Sequence, residues 1–216
     1  MLKKICIGLL LITLLSQSVN AQTPADSTLI NKEYVNITEA LKNPEYVYRL
    51  NLSNQNIQFA DSVWPKFTNL QYLSLKNDHL KKIPEGIGYL KSLRVLDLSG
   101  NDFKVLPETF SGLSNLQELF LNDDKYFQFA NNIPILSKLP NLKSLHLEND
   151  GIKKLPESIN KLNNLESLYL NNNHLKKIPS EIKGLRNLKY LDIHDNDFRI
   201  QNQFKQEQGF GIKIRF

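Results

Sequence analysis

The sequence returns to the same short phrase at a nearly fixed interval. Aligning each L-x-L on one column puts Leu50, Leu73, Leu96, Leu119, Leu145, Leu168 and Leu191 at the heads of successive rows, with steps of 23, 23, 23, 26, 23 and 23 residues. The hexamer HLKKIP at 79–84 recurs letter for letter at 174–179 because it occupies one place in the row. A unit this short cannot bury its own apolar face, so the rows must stack and share a continuous core.

Within a row the alternation L-x-L specifies a short strand with two leucines inward and the intervening residues outward. Equivalent strands of successive rows then pair in parallel. The place five residues after the first leucine holds Gln55, Asp78, Asn101, Asp124, Asp150, Asn173 and Asn196. Short amides and carboxylates there satisfy backbone groups where the chain bends out of the strand. Pro84, Pro107, Pro156 and Pro179 set an extended or turning return path. Ile87, Phe110, Ile159 and Ile182, with Leu90, Leu113, Leu162 and Leu185, fill the outer half of the core.

These rows, clearest in LRVLDLSGNDFKVLPETFSGL (93–113) and LESLYLNNNHLKKIPSEIKGL (165–185), resemble the leucine-rich repeat in its 23-residue form with a Leu-Pro or Ile-Pro return segment. The resemblance implies an α/β solenoid: a horseshoe with a parallel β-sheet on its concave face, used for binding rather than catalysis. Members of this family usually carry Asn at the bend. Asp in three rows and Gln in one therefore predict a less regular ladder of side-chain bonds.

An open stack needs covers at both ends. The domain reading is a signal peptide at 1–21, an N-terminal cap at 22–46, about seven repeats over 47–198 and a C-terminal cap at 199–216. In the first cap a helix is expected near Thr38 to Lys42, with Tyr34, Ile37 and Leu41 over the first row and Pro44 ending it. In the last, IRF falls 23 residues beyond Leu191 and predicts a closing strand at Ile214. The 26-residue row holds three extra residues. Tyr126 and Phe129 fall in apolar columns and are expected in the core, whereas Phe127 has no such column and is expected exposed on a bulge, as a possible loop contact.

Lys3 and Lys4 followed by ICIGLLLITLL and the small residues Val19 and Ala21 read as a secretion signal, cleaved before Gln22. The apolar run is short for a bilayer span, and a short N-terminal anchor is the competing reading of it. Removal would take away Cys6, the chain's single cysteine, leaving no disulfide and no thiol chemistry. A secreted chain without disulfides suggests a bacterial envelope, periplasmic, cell-surface or released protein with no transmembrane helix after cleavage. Of the 27 basic residues, 25 would remain against 22 acids, a balance that argues against nucleic acid.

Catalysis finds no support in the motifs. His79, His146, His174 and His194 lie in different rows, DIHDND (192–197) lacks calcium-loop spacing, and there is no phosphate-binding glycine loop or nucleophile elbow. No cofactor and no metal site is therefore expected. The candidate partner-binding residues are the outward strand positions Tyr72, Lys76, Asp97, Glu118, Phe120, His146, Glu148, Tyr169, Tyr190, Asp192 and His194. A protein partner is the first expectation. The aromatics among them have two readings, contact surface or cross-strand packing. A second candidate surface is the stripe Lys81, Lys82, Lys104, Lys153, Lys154, Lys176 and Lys177, either a solvated edge or a dock for surface glycan or anionic lipid.

Overall fold

The computed structural model describes residues 30–58, 60–198 and 211–216. The proposed signal peptide, the first part of the N-terminal cap and residues 199–210 of the C-terminal cap lie outside the described residues. Among the described residues the strands are β1 (Glu33–Tyr34), β2 (Arg49–Asn51), β3 (Tyr72–Ser74), β4 (Val95–Asp97), β5 (Glu118–Phe120), β6 (Ser144–His146), β7 (Ser167–Tyr169), β8 (Tyr190–Asp192) and β9 (Lys213–Arg215). They form one parallel sheet in sequence order. The leucine columns stand in register from Leu50 beside Leu73 through to Leu191 beside Ile214, so the closing strand lies where the 23-residue step put it.

Both leucines of every L-x-L are fully buried, and the return segments cover them with short 3-10 turns at Asp61–Lys66, Glu85–Tyr89, Glu108–Gly112, Glu157–Lys161 and Ser180–Gly184. Trp64, Phe67, Phe103 and Phe110 supply the largest fully buried rings between the two layers. The 26-residue row replaces its 3-10 turn with the helix α2 (Phe129–Leu136). The helix α1 (Ile37–Ala40) belongs to the N-terminal cap and starts one residue before the expected position. Asn36 explains that start: its side-chain oxygen accepts from the amides of Thr38 and Glu39 at 2.9 and 3.1 Å, capping the free N–H groups of the first turn. Pro44 opens a separate 3-10 turn, Pro44–Tyr46, after the helix has ended.

Two columns shape the bend. The residue four places after each first leucine adopts a left-handed backbone in every row: Asn54, Asn77, Gly100, Asp123, Asn149, Asn172 and Asp195, with φ between 52° and 70°. Asn, Asp and Gly are the residues that tolerate this conformation most readily. The next column bonds row to row. Asn101 Oδ1 accepts from the amides of Asp78 and Leu80, and its Nδ2 donates to the carbonyls of Leu75 and Leu98. Asn173 repeats all four bonds three rows further along, to Asp150, Ile152, Leu147 and Leu170. Asp78, Asp124 and Asp150 keep the accepting half of the pattern, receiving the amides of Gln55, Asn101 and Asp124 at 2.7, 2.6 and 2.8 Å. Their second oxygens are buried with no partner. The ladder is irregular in both halves: the aspartates lack the donating amide, and Asp124, Asp150 and Asn196 each receive one backbone amide where Asn101 and Asn173 receive two.

The insertion corrects two expectations. Tyr126 is 57 % exposed rather than core. Phe127 is half-buried rather than displayed, and packs edge-on against Phe103 of the preceding row with 5.7 Å between centroids. One extra residue enters the turn closed by Phe127 N–H on the Asp124 carbonyl, so Phe127 takes the apolar place that column counting assigns to Tyr126. Phe129 is buried at the start of α2, as expected.

Candidate functional site

The outward residues of β5, β6 and β7 form the most organised part of the concave face. Phe120, His146 and Tyr169 are opposite one another in the strand register. Parallel pairing at strand spacing brings such rings face to face. The Phe120 and His146 centroids are 4.0 Å apart at 19°, and His146 and Tyr169 are 4.1 Å apart at 6°. Tyr190 continues the row from a neighbouring column, tilted 55° to Tyr169 with 5.5 Å between centroids.

The imidazole at the centre is clamped. Its Nε2 lies 3.0 Å from Glu118 Oε1 and its Nδ1 lies 3.0 Å from Glu148 Oε1. Both ring nitrogens therefore face a carboxylate oxygen at hydrogen-bond distance. Glu118, Glu148 and the two flanking rings thus fix one orientation of His146, which is itself buried. Asp192 is buried in a comparable way, accepting from the Tyr190 hydroxyl at 3.1 Å and pairing with His194 and Arg215. His146 and Asp192 therefore hold their neighbours in place rather than project toward solvent. Phe120, Tyr169 and Tyr190 remain half-exposed, with Glu118, Glu148 and His194 around them.

The other expected residues stand apart from this centre. Tyr72 lies under the Arg49 guanidinium, 4.1 Å from ring centroid to Cζ, and burial, followed by Asp97 and Glu33, pushes its hydroxyl above the usual tyrosine range. Asp97 accepts from the amide and hydroxyl of Ser99 at 3.0 and 2.6 Å. Lys76 is half-exposed on the bend after β3. The face consequently has an acidic, aromatic centre with Arg49 toward one end and Arg215 at the other. Arg49 was not among the expected contact residues; its signal was its place directly before Leu50, in the column that also holds Tyr72 and Glu118.

Among the described residues no cluster of three His, Cys, Asp or Glu side chains is arranged to hold a metal ion, and no helix is long and apolar enough to cross a membrane. Lys81, Lys82, Lys104, Lys153, Lys154, Lys176 and Lys177 are all exposed along the return edge.

A stacked parallel sheet closed by turns, one row after another, defines a solenoid repeat protein. The leucine-rich repeat region family matches residues 50–133 and 126–206, and the chain belongs to that family. No curated protein matches it significantly. Human 5T4, a trophoblast glycoprotein, is similar over 80 % of this chain and 69 % of its own, with 26 % identity and a TM-score of 0.63. An internalin of Listeria monocytogenes shares 23 % identity over 79 % of this chain and 47 % of its own, with a TM-score of 0.59. The Drosophila Toll chain, solved in complex with Spatzle, shares 14 % identity with a TM-score of 0.65 over 76 % of this chain and 22 % of its own. The internalin and Toll similarities describe the fold alone, and this chain spans less than half the length of either protein.

Proposed function

We propose that this chain is a secreted or envelope-associated, non-enzymatic scaffold that binds a protein through its concave face, centred on Phe120, Tyr169 and Tyr190. The observation that carries the reading is the ring ladder over β5 to β8, locked by Glu118 and Glu148 around His146. Rings fixed before binding lose little side-chain freedom on contact and give large buried area per residue. The acidic fringe suits a basic patch on the partner. Toll, whose fold this chain shares, is seen with the protein Spatzle, which supports a protein partner by analogy.

The test is capture from an envelope extract of the source organism, comparing residues 22–216 with the variant Phe120→Ala/Tyr169→Ala/Tyr190→Ala. All three rings are half-exposed, so the variant should retain the circular dichroism and melting behaviour of the parent. A partner seated on this face should be recovered at least about tenfold less by the variant, since centrally placed aromatics each contribute about 2 kcal/mol or more at such interfaces. Equal recovery by both proteins rules out the ring ladder as the contact surface.

A further inference from the structure

The insertion also builds a second surface, away from the concave face. A cavity of about 690 Å³ opens on the return edge between the segments before Pro84 and Pro107. Its apolar lining includes Ile83 and Leu106, which are buried, and Val105 and Tyr126, which are 52 % and 57 % exposed. Lys81, Lys82 and Lys104 line it as well, and among the described residues none of these ammonium groups has an ion-pair partner. Two acids are present. Asp102 faces His79 at 3.5 Å, which leaves Glu85 as the acid with no cation beside it.

The wall carrying Lys104 and Val105 is held from behind by α2. Asn132, fully buried, donates to the Lys104 carbonyl at 3.1 Å and accepts from the Leu106 amide at 2.7 Å. Gln128 N–H reaches the same Lys104 carbonyl at 3.0 Å, and Phe127 is seated against Phe103. That anchoring is what leaves Tyr126 standing over the opening. An apolar floor and two exposed apolar side chains, with the unpaired ammonium of Lys104 on the anchored wall and those of Lys81 and Lys82 on the other segment, form a site of small-molecule size.

We propose that this groove binds a single amphiphilic anion, an acyl or alkyl chain bearing a phosphate or carboxylate. The chain would lie along Val105, Leu106 and Tyr126, and the anionic head would meet Lys81, Lys82 and Lys104. The volume falls within the roughly 300–1,000 Å³ typical of small-molecule sites, whereas a protein partner needs about 800 Å² of surface on each side. The lysine stripe then divides into two parts. Lys81, Lys82 and Lys104 share an apolar groove, whereas Lys153, Lys154, Lys176 and Lys177 lie outside its lining.

The test uses octyl phosphate below its micelle concentration, titrated calorimetrically into residues 22–216, beside octyl glucoside and inorganic phosphate. Saturable one-site binding is expected for octyl phosphate. Each of the other two probes should bind at least about tenfold more weakly, because each lacks one half of the recognition. The variant Lys81→Gln/Lys82→Gln/Lys104→Gln should lose at least about tenfold in affinity, and Tyr126→Ser several-fold. Both variants change exposed side chains and should melt with the parent. Lys153→Gln/Lys154→Gln should bind as the parent does. Undiminished binding by the groove variants overturns the site, as does an equal loss in Lys153→Gln/Lys154→Gln. Inorganic phosphate binding as tightly as octyl phosphate reduces it to simple ion attraction. Sedimentation with phosphatidylglycerol vesicles in the absence of saturable octyl phosphate binding replaces it with adsorption to a membrane surface.

Discussion

Asp124→Asn and Asp150→Asn should raise the urea midpoint of the protein at about pH 9.5 and leave it nearly unchanged at about pH 5. Each aspartate stands where Asn101 and Asn173 use an amide to donate to backbone carbonyls. Its Oδ1 accepts a backbone amide while its Oδ2 is buried without a partner. A protonated carboxyl has an O–H to offer in the place of that amide. An ionised one has only acceptors and a buried charge. Burial, reinforced by neighbouring acids, accordingly pushes the Asp124 carboxyl up to about 9 and the Asp150 carboxyl up to about 8, against the opposing backbone hydrogen bonds.

The sign follows from which state holds the proton. In the unfolded chain these groups titrate near the ordinary aspartate value of about 3.9, so between there and about 9 the folded protein binds more protons than the unfolded one. Their contribution to stability is complete below the unfolded value and falls as pH rises through the folded values. Asn removes that slope. The gain at high pH should be about 1–3 kcal/mol per site, the usual penalty for a buried group left unsatisfied. Equal midpoint differences at the two pH values, or variants weaker than the parent at high pH, would show that the carboxyls are already ionised and otherwise compensated.

The strand register was legible because one leucine column repeats through every row, and a one-residue slip anywhere would turn it to solvent. The same arithmetic carried on from Leu191 to Ile214. Two features escaped it. β1 pairs Glu33 with Arg49, 16 positions away, and its two residues offer no L-x-L to count. The swap of Tyr126 and Phe127 arose because a count fixes the size of an insertion without fixing the point at which it enters. On the concave face the column shows only which residues alternate with the leucines. It did not distinguish His146 and Asp192, buried under their neighbours, from Tyr169 and Tyr190, because that depends on which rings stack and which carboxylates turn inward.

Glycines on the return path were a further silence, and they carry the second large effect. Gly86→Ala and Gly88→Ala should each lower the melting temperature by about 6–12 °C. A Cβ on Gly86 would lie 2.1 Å from the Asp61 carbonyl oxygen in the row before, and one on Gly88 would lie 2.2 Å from the Thr109 carbonyl oxygen in the row after. Both obstacles are backbone, so no side chain can rotate aside, and the stack must open at that level. Overpacking of this kind costs about 3 kcal/mol at the upper end of its usual range. For a domain of this size each kcal/mol is about 2–4 °C. Row comparison hides the requirement, because the equivalent places one row later are Thr109 and Ser111. The Ser111 side chain is tolerated where the following row turns to α2 instead of another 3-10 turn, and Thr109 meets the row before through its hydroxyl, which donates to the Glu85 carbonyl at 2.9 Å. Ser111→Ala, in the column of Gly88 but on an exposed surface, should therefore melt within about 2 °C of the parent. If Gly88→Ala behaved like Ser111→Ala, the rows at Glu85–Tyr89 and Glu108–Gly112 would have to lie farther apart than a 2.2 Å approach of that Cβ to the Thr109 carbonyl oxygen allows.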